Sequence, residues 1–118
     1  MTQVQIFGTK KCADTRKAER WWKERGVRIH LVDLKEKGIA PGELKAVAQR
    51  VGGLDKLVDR TSARYRDKGH HVASYSGALL EKILLEDALL LRTPIVRNGS
   101  LATVGYEPEV WETWRAES

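Results

Sequence analysis

One cysteine, Cys12, lies in the string Gly8-Thr-Lys-Lys-Cys12-Ala-Asp-Thr-Arg16-Lys-Ala18, between a short apolar run and a charged, helix-like segment. A thiol at that junction stands where a helix begins. The unpaired N–H groups and the macrodipole of a helix start favour negative charge there, and Lys10, Lys11, Arg16 and Lys17 add positive charge nearby. Both effects favour thiolate over thiol, which makes Cys12 a candidate nucleophile. The competing reading, a small apolar core residue, fits poorly with so polar a string. The chemistry implied is attack on an electrophilic centre through a covalent intermediate. With a single cysteine the chain holds no second thiol to resolve that intermediate, so an external thiol must release it. No internal disulfide can form, and a reducing, cytoplasmic setting is the expectation.

The elements that position Cys12 follow from periodicity. Gln3-Val-Gln-Ile-Phe7 alternates polar and apolar and predicts a strand. A loop over Gly8 to Lys11 leads into a helix from about Ala13 to Arg25, closed by Gly26, with Ala18, Trp21 and Trp22 on one face. Val27 to Asp33 predicts a second strand, so that the first third is a βαβ unit with a right-handed crossover. Pro41 starts a helix through Leu44, Val47, Ala48 and Val51 that Gly52-Gly53 stops, and Leu54, Leu57 and Val58 suggest a further helical turn. Asp59 to Ser76 is polar. Ser76 is placed to cap a long helix running to about Leu91, packed through Leu79, Leu80, Ile83, Leu84 and Ala88. Pro94 to Arg97, the pair Asn98-Gly99 and Leu101 to Val104 predict a hairpin, and Glu107 to Arg115 a closing helix. The expected fold is α/β: one domain over 1–118, a four-stranded mixed sheet with a block of helices inserted between its halves.

Composition excludes some functions. The formal charge is +5, from 21 basic and 16 acidic residues, and 42% of residues are hydrophobic. That excess suits a small anion, an acidic peptide or a protein partner. No aromatic-studded basic motif or zinc motif points to nucleic acid, and the four tryptophans are spaced as core or helix-face residues. No apolar run approaches the roughly 20 residues of a membrane helix, and the first residues lack a signal-peptide pattern. No metal site is expected: His70 and His71 are adjacent, point apart in most backbones, and have no second cysteine to complete a ligand set.

Four pieces, in order and spacing, carry a resemblance: Cys12 followed by Thr15-Arg16-Lys17-Ala18; the block Gly53-Leu-Asp-Lys-Leu-Val-Asp-Arg60-Thr-Ser-Ala-Arg-Tyr-Arg66; Leu91-Arg-Thr-Pro94-Ile-Val96; and Val104-Gly-Tyr106 after the hairpin. The chain resembles the arsenate reductase-like family, which takes in glutathione-linked arsenate reductases, Spx-type transcription regulators and the YffB-type thiol reductases, the last being most similar. The resemblance implies a thioredoxin-like fold with Cys12 as nucleophile. Thr15 stands where relatives carry serine or a second cysteine, and its hydroxyl is implied to hydrogen-bond the thiolate. Arg16 is implied to contribute positive charge to an anion pocket and Arg60 to face the active site, and Lys11, Arg92, Thr93 and Pro94 are the expected substrate-binding residues. Pro94 matches a cis-proline, so Thr93-Pro94 is expected cis, with the Thr93 backbone facing the thiol substrate. Arsenate reductases carry an arginine directly before that proline; here it is Thr93, with Arg92 one position earlier and, on a strand, on the other face. They carry another just after the hairpin, where this chain reads Gly105-Tyr106-Glu107.

The function these residues favour is a thiol-dependent monothiol reductase, an oxidoreductase, acting on a small thiol or oxidised thiol. It needs no bound cofactor. Glutathione or a similar low-molecular-weight thiol serves as co-substrate, with a glutaredoxin-type reductant as another means of release. Two alternatives stand beside it: a Spx-like regulator binding RNA polymerase or another protein, and an arsenate reductase, which the missing arginines disfavour.

Overall fold

The computed structural model describes residues 3–67 and 77–117. Strand β1 (Gln3–Gly8) leads through a short loop to α1 (Ala13–Glu24) and then β2 (Arg28–Asp33). Next come α2 (Leu34–Lys37), α3 (Pro41–Val51), a 3-10 turn at Leu54–Lys56, α4 (Ala63–Asp67), α5 (Gly77–Glu86) and a second 3-10 turn at Ala88–Leu90. The chain closes with β3 (Ile95–Asn98), β4 (Leu101–Val104) and α6 (Pro108–Glu117). The strand order is β2-β1-β3-β4, with β1 and β2 parallel and the other two pairings antiparallel. This is the expected α/β, thioredoxin-like arrangement: a β1–α1–β2 half, an inserted helical block, and a β3–β4–α6 half. Among the described residues no helix is long and apolar enough to cross a membrane.

Alternation along β1 sends its side chains to two different cores. Val4 and Ile6 face α1 and α6, with Trp21, Trp22, Trp111 and Trp114; Phe7 faces the inserted block, with Leu44, Leu57, Leu84 and Ile95. The four tryptophans form one cluster. Trp22 lies with its ring centroid 5.6 Å from Trp111 and 6.3 Å from Trp114, and Trp21 lies 5.4 Å from Trp111. The Trp111 indole N–H donates to the Thr103 hydroxyl at 2.8 Å, so its polar atom is satisfied inside the core. Helix α1 ends in a Schellman arrangement: the Gly26 N–H donates to Lys23 O and the Val27 N–H to Trp22 O.

The inserted block is stitched to the segment before β3. Val58 pairs with Leu91 in an antiparallel bridge, and the Arg92 N–H donates to Leu57 O at 2.7 Å. This stitching corrects the expected long helix. Helix α5 stops at Glu86, Asp87 leaves helical geometry, and the chain tightens into the 3-10 turn before Leu91 meets Val58. Asp87 is held there by the Arg64 guanidinium at 2.8 Å. Leu80 and Leu84 are buried as expected, but Leu79 is 52% exposed. The expected cap, Ser76, lies outside the described residues, as do His70 and His71. Two short helices, α2 and α4, occupy stretches where the sequence had suggested none.

The hairpin also differs by one position. Asn98 pairs with Leu101, so the loop is Gly99-Ser100 rather than Asn98-Gly99. Gly99 has a φ of +59° and, among the described residues, no non-glycine residue has a positive φ, the pattern of a type II′ turn. Glycine is needed at that first loop position and nowhere else in the turn.

Truncating a fully buried indole costs about 3–5 kcal/mol, whereas an exposed ion pair contributes about 1 kcal/mol or less. Trp111→Ala is therefore expected to lower the urea midpoint far more than Glu112→Ala, which removes the partly exposed pair with Arg25. Equal losses would mean that the α1–α6 clasp, and not the indole cluster, holds this face of the sheet.

Candidate active site

Loop 9–12 turns tightly from β1 into α1: the Cys12 N–H donates to Thr9 O and the Arg16 N–H to Cys12 O, both at 3.2 Å. Cys12 occupies the N-cap position of α1, with extended backbone and no capping bond from its side chain. The sulfur is thereby left free at the helix start. It is half-buried, and its thiol donates to Thr93 O at 3.7 Å. The Thr93–Pro94 peptide is cis, as the resemblance implied, and Pro94 is buried at the entry to β3.

The Cys12 pKa lies below the ordinary thiol value. Burial is the largest single influence and acts the other way, raising it. It is outweighed by the stabilisation that the Thr15 hydroxyl, the Thr93 side chain, and the Thr15 and Asp14 backbone N–H groups at the helix start give the charged sulfur. Lys10, Lys11, Arg16 and Lys17, which the sequence credited with this effect, are not among the influences. Arg16 is spent on Lys10 O at 2.8 Å, and the Lys17 ammonium stands 6.0 Å from the centre of the Tyr106 ring. Oriented donors, not basic side chains, hold the thiolate.

Of the residues picked from sequence, Cys12, Thr15, Thr93 and Pro94 are brought together. Arg60 is tied within the inserted block, 2.6 Å from Asp55 and donating to the Tyr65 hydroxyl at 3.0 Å. Arg92 is exposed and its charge acts on Asp59, lowering that carboxyl's pKa after the stronger contribution of the Thr61 hydroxyl and backbone N–H. Lys11 lines a groove of about 500 Å³ beside the loop, with Lys10, Lys35, Arg64, Asp33 and Glu36. Among the described residues no three His, Cys, Asp or Glu side chains converge as metal ligands. Sequence reasoning passed over Gly8, whose Cα faces Thr15 so closely that a Cβ there would stand 2.5 Å from Thr15 Cγ2 and 2.6 Å from Oγ1. A glycine ending a strand beside a candidate nucleophile was the available signal.

Comparison with known proteins places this geometry. The chain is 29% identical to the uncharacterized protein YusI of Bacillus subtilis strain 168 over 105 residues, covering 86% of this chain and 89% of that one. It is 23% identical to the global transcriptional regulator Spx 2 of Bacillus anthracis over 107 residues, covering 90% and 82%. Its fold superposes on the YFFB protein with a TM-score of 0.83 at 22% identity, over 93% of this chain and 96% of that one. On an arsenate reductase from Vibrio cholerae the TM-score is 0.80 at 22% identity, over 92% and 94%. The sequence pattern of the ArsC family matches residues 7–114, a span that takes in the Cys12 loop, the inserted block and the Thr93–Pro94 segment. The chain belongs to the ArsC family.

Proposed function

We propose that this protein is a thiol-dependent reductase with Cys12 as nucleophile, and that glutathione or a similar small thiol completes its cycle. The observation that carries the reading is the half-buried Cys12 sulfur at the α1 start, its pKa lowered by donors and its thiol donating to Thr93 O. The Cys12 thiolate attacks one sulfur of a disulfide R–S–S–R′. A Cys12–S–S–R bond forms, the original S–S bond breaks, and R′ leaves as thiolate, taking a proton from solvent. A glutathione thiolate then attacks the R sulfur, giving R–S–S–glutathione and restoring the Cys12 thiolate. A glutaredoxin-type reductant serves the second step equally well. The groove beside Lys10 and Lys11 offers ammonium groups to the carboxylates of such a thiol. The polar backbone of Thr93 supplies a carbonyl beside the sulfur for a peptide-like substrate.

Arsenate is a poor fit. Its charged oxygens need charge-assisted hydrogen bonds, yet Thr93 stands before the cis-proline, Arg92 acts on Asp59, and Tyr106-Glu107 follows the hairpin. A second reading, a regulator that binds RNA polymerase or another protein, is favoured by the similarity to the Spx 2 regulators. Complex formation that survives Cys12→Ala separates that reading from the reductase.

The alkylation rate of Cys12 against pH is expected to follow thiolate fraction. Its midpoint should lie below the free-cysteine value of about 8.5, the rate falling as pH drops through the lowered pKa. A midpoint at or above the free value would remove the nucleophile.

Incubation with a glutathione mixed disulfide is expected to yield a Cys12–glutathione adduct by mass spectrometry, which excess glutathione discharges. Cys12→Ser should abolish both the adduct and turnover. A stable wild-type adduct that glutathione does not discharge would end the reductase reading.

Arsenate turnover with glutathione and glutaredoxin is expected to be slow. Each missing charge-assisted contact costs about 1.5–3 kcal/mol, so two losses cost roughly a hundredfold or more in rate. Efficient turnover would mean that another cation has taken the place of the missing arginines.

A further inference from the structure

We propose that Gly8 is a positioning residue for the site: its missing side chain leaves the space in which the Thr15 hydroxyl is seated to serve the Cys12 sulfur. The inference deepens the reading of Cys12 as a nucleophile and rests on it.

Gly8 is the last residue of β1 and pairs with Asp33 across the sheet. Its backbone does not require glycine, because its φ is not among the positive values. Glycine also weakens a strand, offering no side chain to pack and a larger loss of freedom on folding. Space is the remaining reason for it. A Cβ built on Gly8 would stand 2.5 Å from Thr15 Cγ2, 2.6 Å from Thr15 Oγ1 and 3.1 Å from Thr15 Cβ. The first two distances are shorter than real Cβ contacts. Thr15 has little room to yield: it is 1% exposed, sits in the first turn of α1, and is β-branched and stiff about χ1. A methyl at position 8 therefore turns or displaces this side chain.

The Thr15 hydroxyl is the second observation. Thr15 Oγ1 is buried and, with the thiol donating to Thr93 O, has no hydrogen-bond partner. Buried hydroxyls are rarely left so, since desolvation without a partner is costly. The same hydroxyl is the strongest of the influences that lower the Cys12 pKa. Both properties belong to a donor that is unsatisfied beside a neutral sulfur and satisfied beside an anionic one. Alongside the Thr93 side chain and the Thr15 and Asp14 backbone N–H groups, the thiolate therefore depends on how this hydroxyl is held. Gly8, at the end of the facing strand, leaves the room that it occupies.

The test is the pH midpoint of Cys12 alkylation by iodoacetamide in the full chain, for wild type, Gly8→Ala, Thr15→Ala and the double variant. Gly8→Ala is expected to raise the midpoint by about one unit, as loss of a hydrogen bond to a charged atom does, and Thr15→Ala to do the same. Adding Gly8→Ala to Thr15→Ala should then move it no further, because the hydroxyl that the methyl displaces is gone. A Gly8→Ala midpoint equal to wild type, with Thr15→Ala raised, overturns the inference alone. A further rise in the double variant overturns it too, since Gly8 would then act by another route. Should Gly8→Ala fail to fold, Gly8→Ala/Thr15→Ser, which lacks the methyl in nearest contact, is compared with Thr15→Ser: a higher midpoint in the double variant supports the displacement, and an equal one overturns it. A wild-type midpoint at the free-cysteine value overturns inference and nucleophile reading together. A low wild-type midpoint without turnover of a glutathione mixed disulfide overturns the reductase reading and leaves Gly8 its role.

Discussion

Burial of the Cys12 sulfur opposes its ionisation, and the junction between β1 and α1 is arranged around that opposition. A sulfur fully in water would keep an ordinary thiol pKa; one fully buried among apolar groups would be held neutral. Cys12 lies between these limits, at the N-cap of α1, where backbone N–H groups have no carbonyl partners of their own. Those donors and two threonine side chains more than offset the desolvation. The balance is local, set within one helical turn and the strand segment that faces it. The remainder of the fold acts by fixing those two pieces against each other.

Two independent cores do the fixing. The tryptophan cluster clamps α1 to the sheet through Val4 and Ile6, so the direction of the α1 start is set from one face. The other face holds the inserted block, whose bridge from Val58 to Leu91 and bond from the Arg92 N–H to Leu57 O fix the segment that ends in Thr93–Pro94. The Gly105 N–H donates to Pro94 O at 2.8 Å, tying that segment to the end of the hairpin as well. Thr93 is thus held from both sides of its own chain.

Much of this was legible in the sequence because periodicity and punctuation agreed. The β1 alternation, the α1 stripe of Ala18, Trp21 and Trp22, Pro41 at the start of α3, and the hairpin near Gly99 all read correctly in kind. Apolar content alone misled at Leu79 to Leu91, where seven leucines look like one long helix. The break at Asp87 is imposed by tertiary demands, the Arg64 ion pair and the pairing of Leu91, which leave no periodic trace. The turn shifted by one residue because Asn98 and Gly99 satisfy the hairpin signal in two registers, and pairing of Asn98 with Leu101 selects one. At the site, residue type was a good guide to Cys12 and Pro94 and a poor guide to the cations. Side-chain direction decides whether an arginine meets a sulfur, a carbonyl or a carboxylate, and sequence distance does not encode it.

That difference bears on what the site is suited to accept. A cation-rich pocket and a donor-lined thiolate both stabilise negative charge, but at different places. Cations arrayed around an open space stabilise the charge of a bound oxyanion; donors aimed at the sulfur stabilise the nucleophile itself and leave the incoming group unaided. Here Arg16 is bonded to Lys10 O and Arg60 to Asp55 and Tyr65, and Arg92 is exposed with its charge felt by Asp59, while every favourable influence on Cys12 converges on its sulfur. A disulfide is neutral and already carries a leaving group whose thiolate solvent can receive. It asks of the protein an ionised nucleophile and a backbone to lie against. An arsenate oxyanion asks for its own charge to be neutralised before sulfur can approach, and Arg16 and Arg60 are bonded elsewhere.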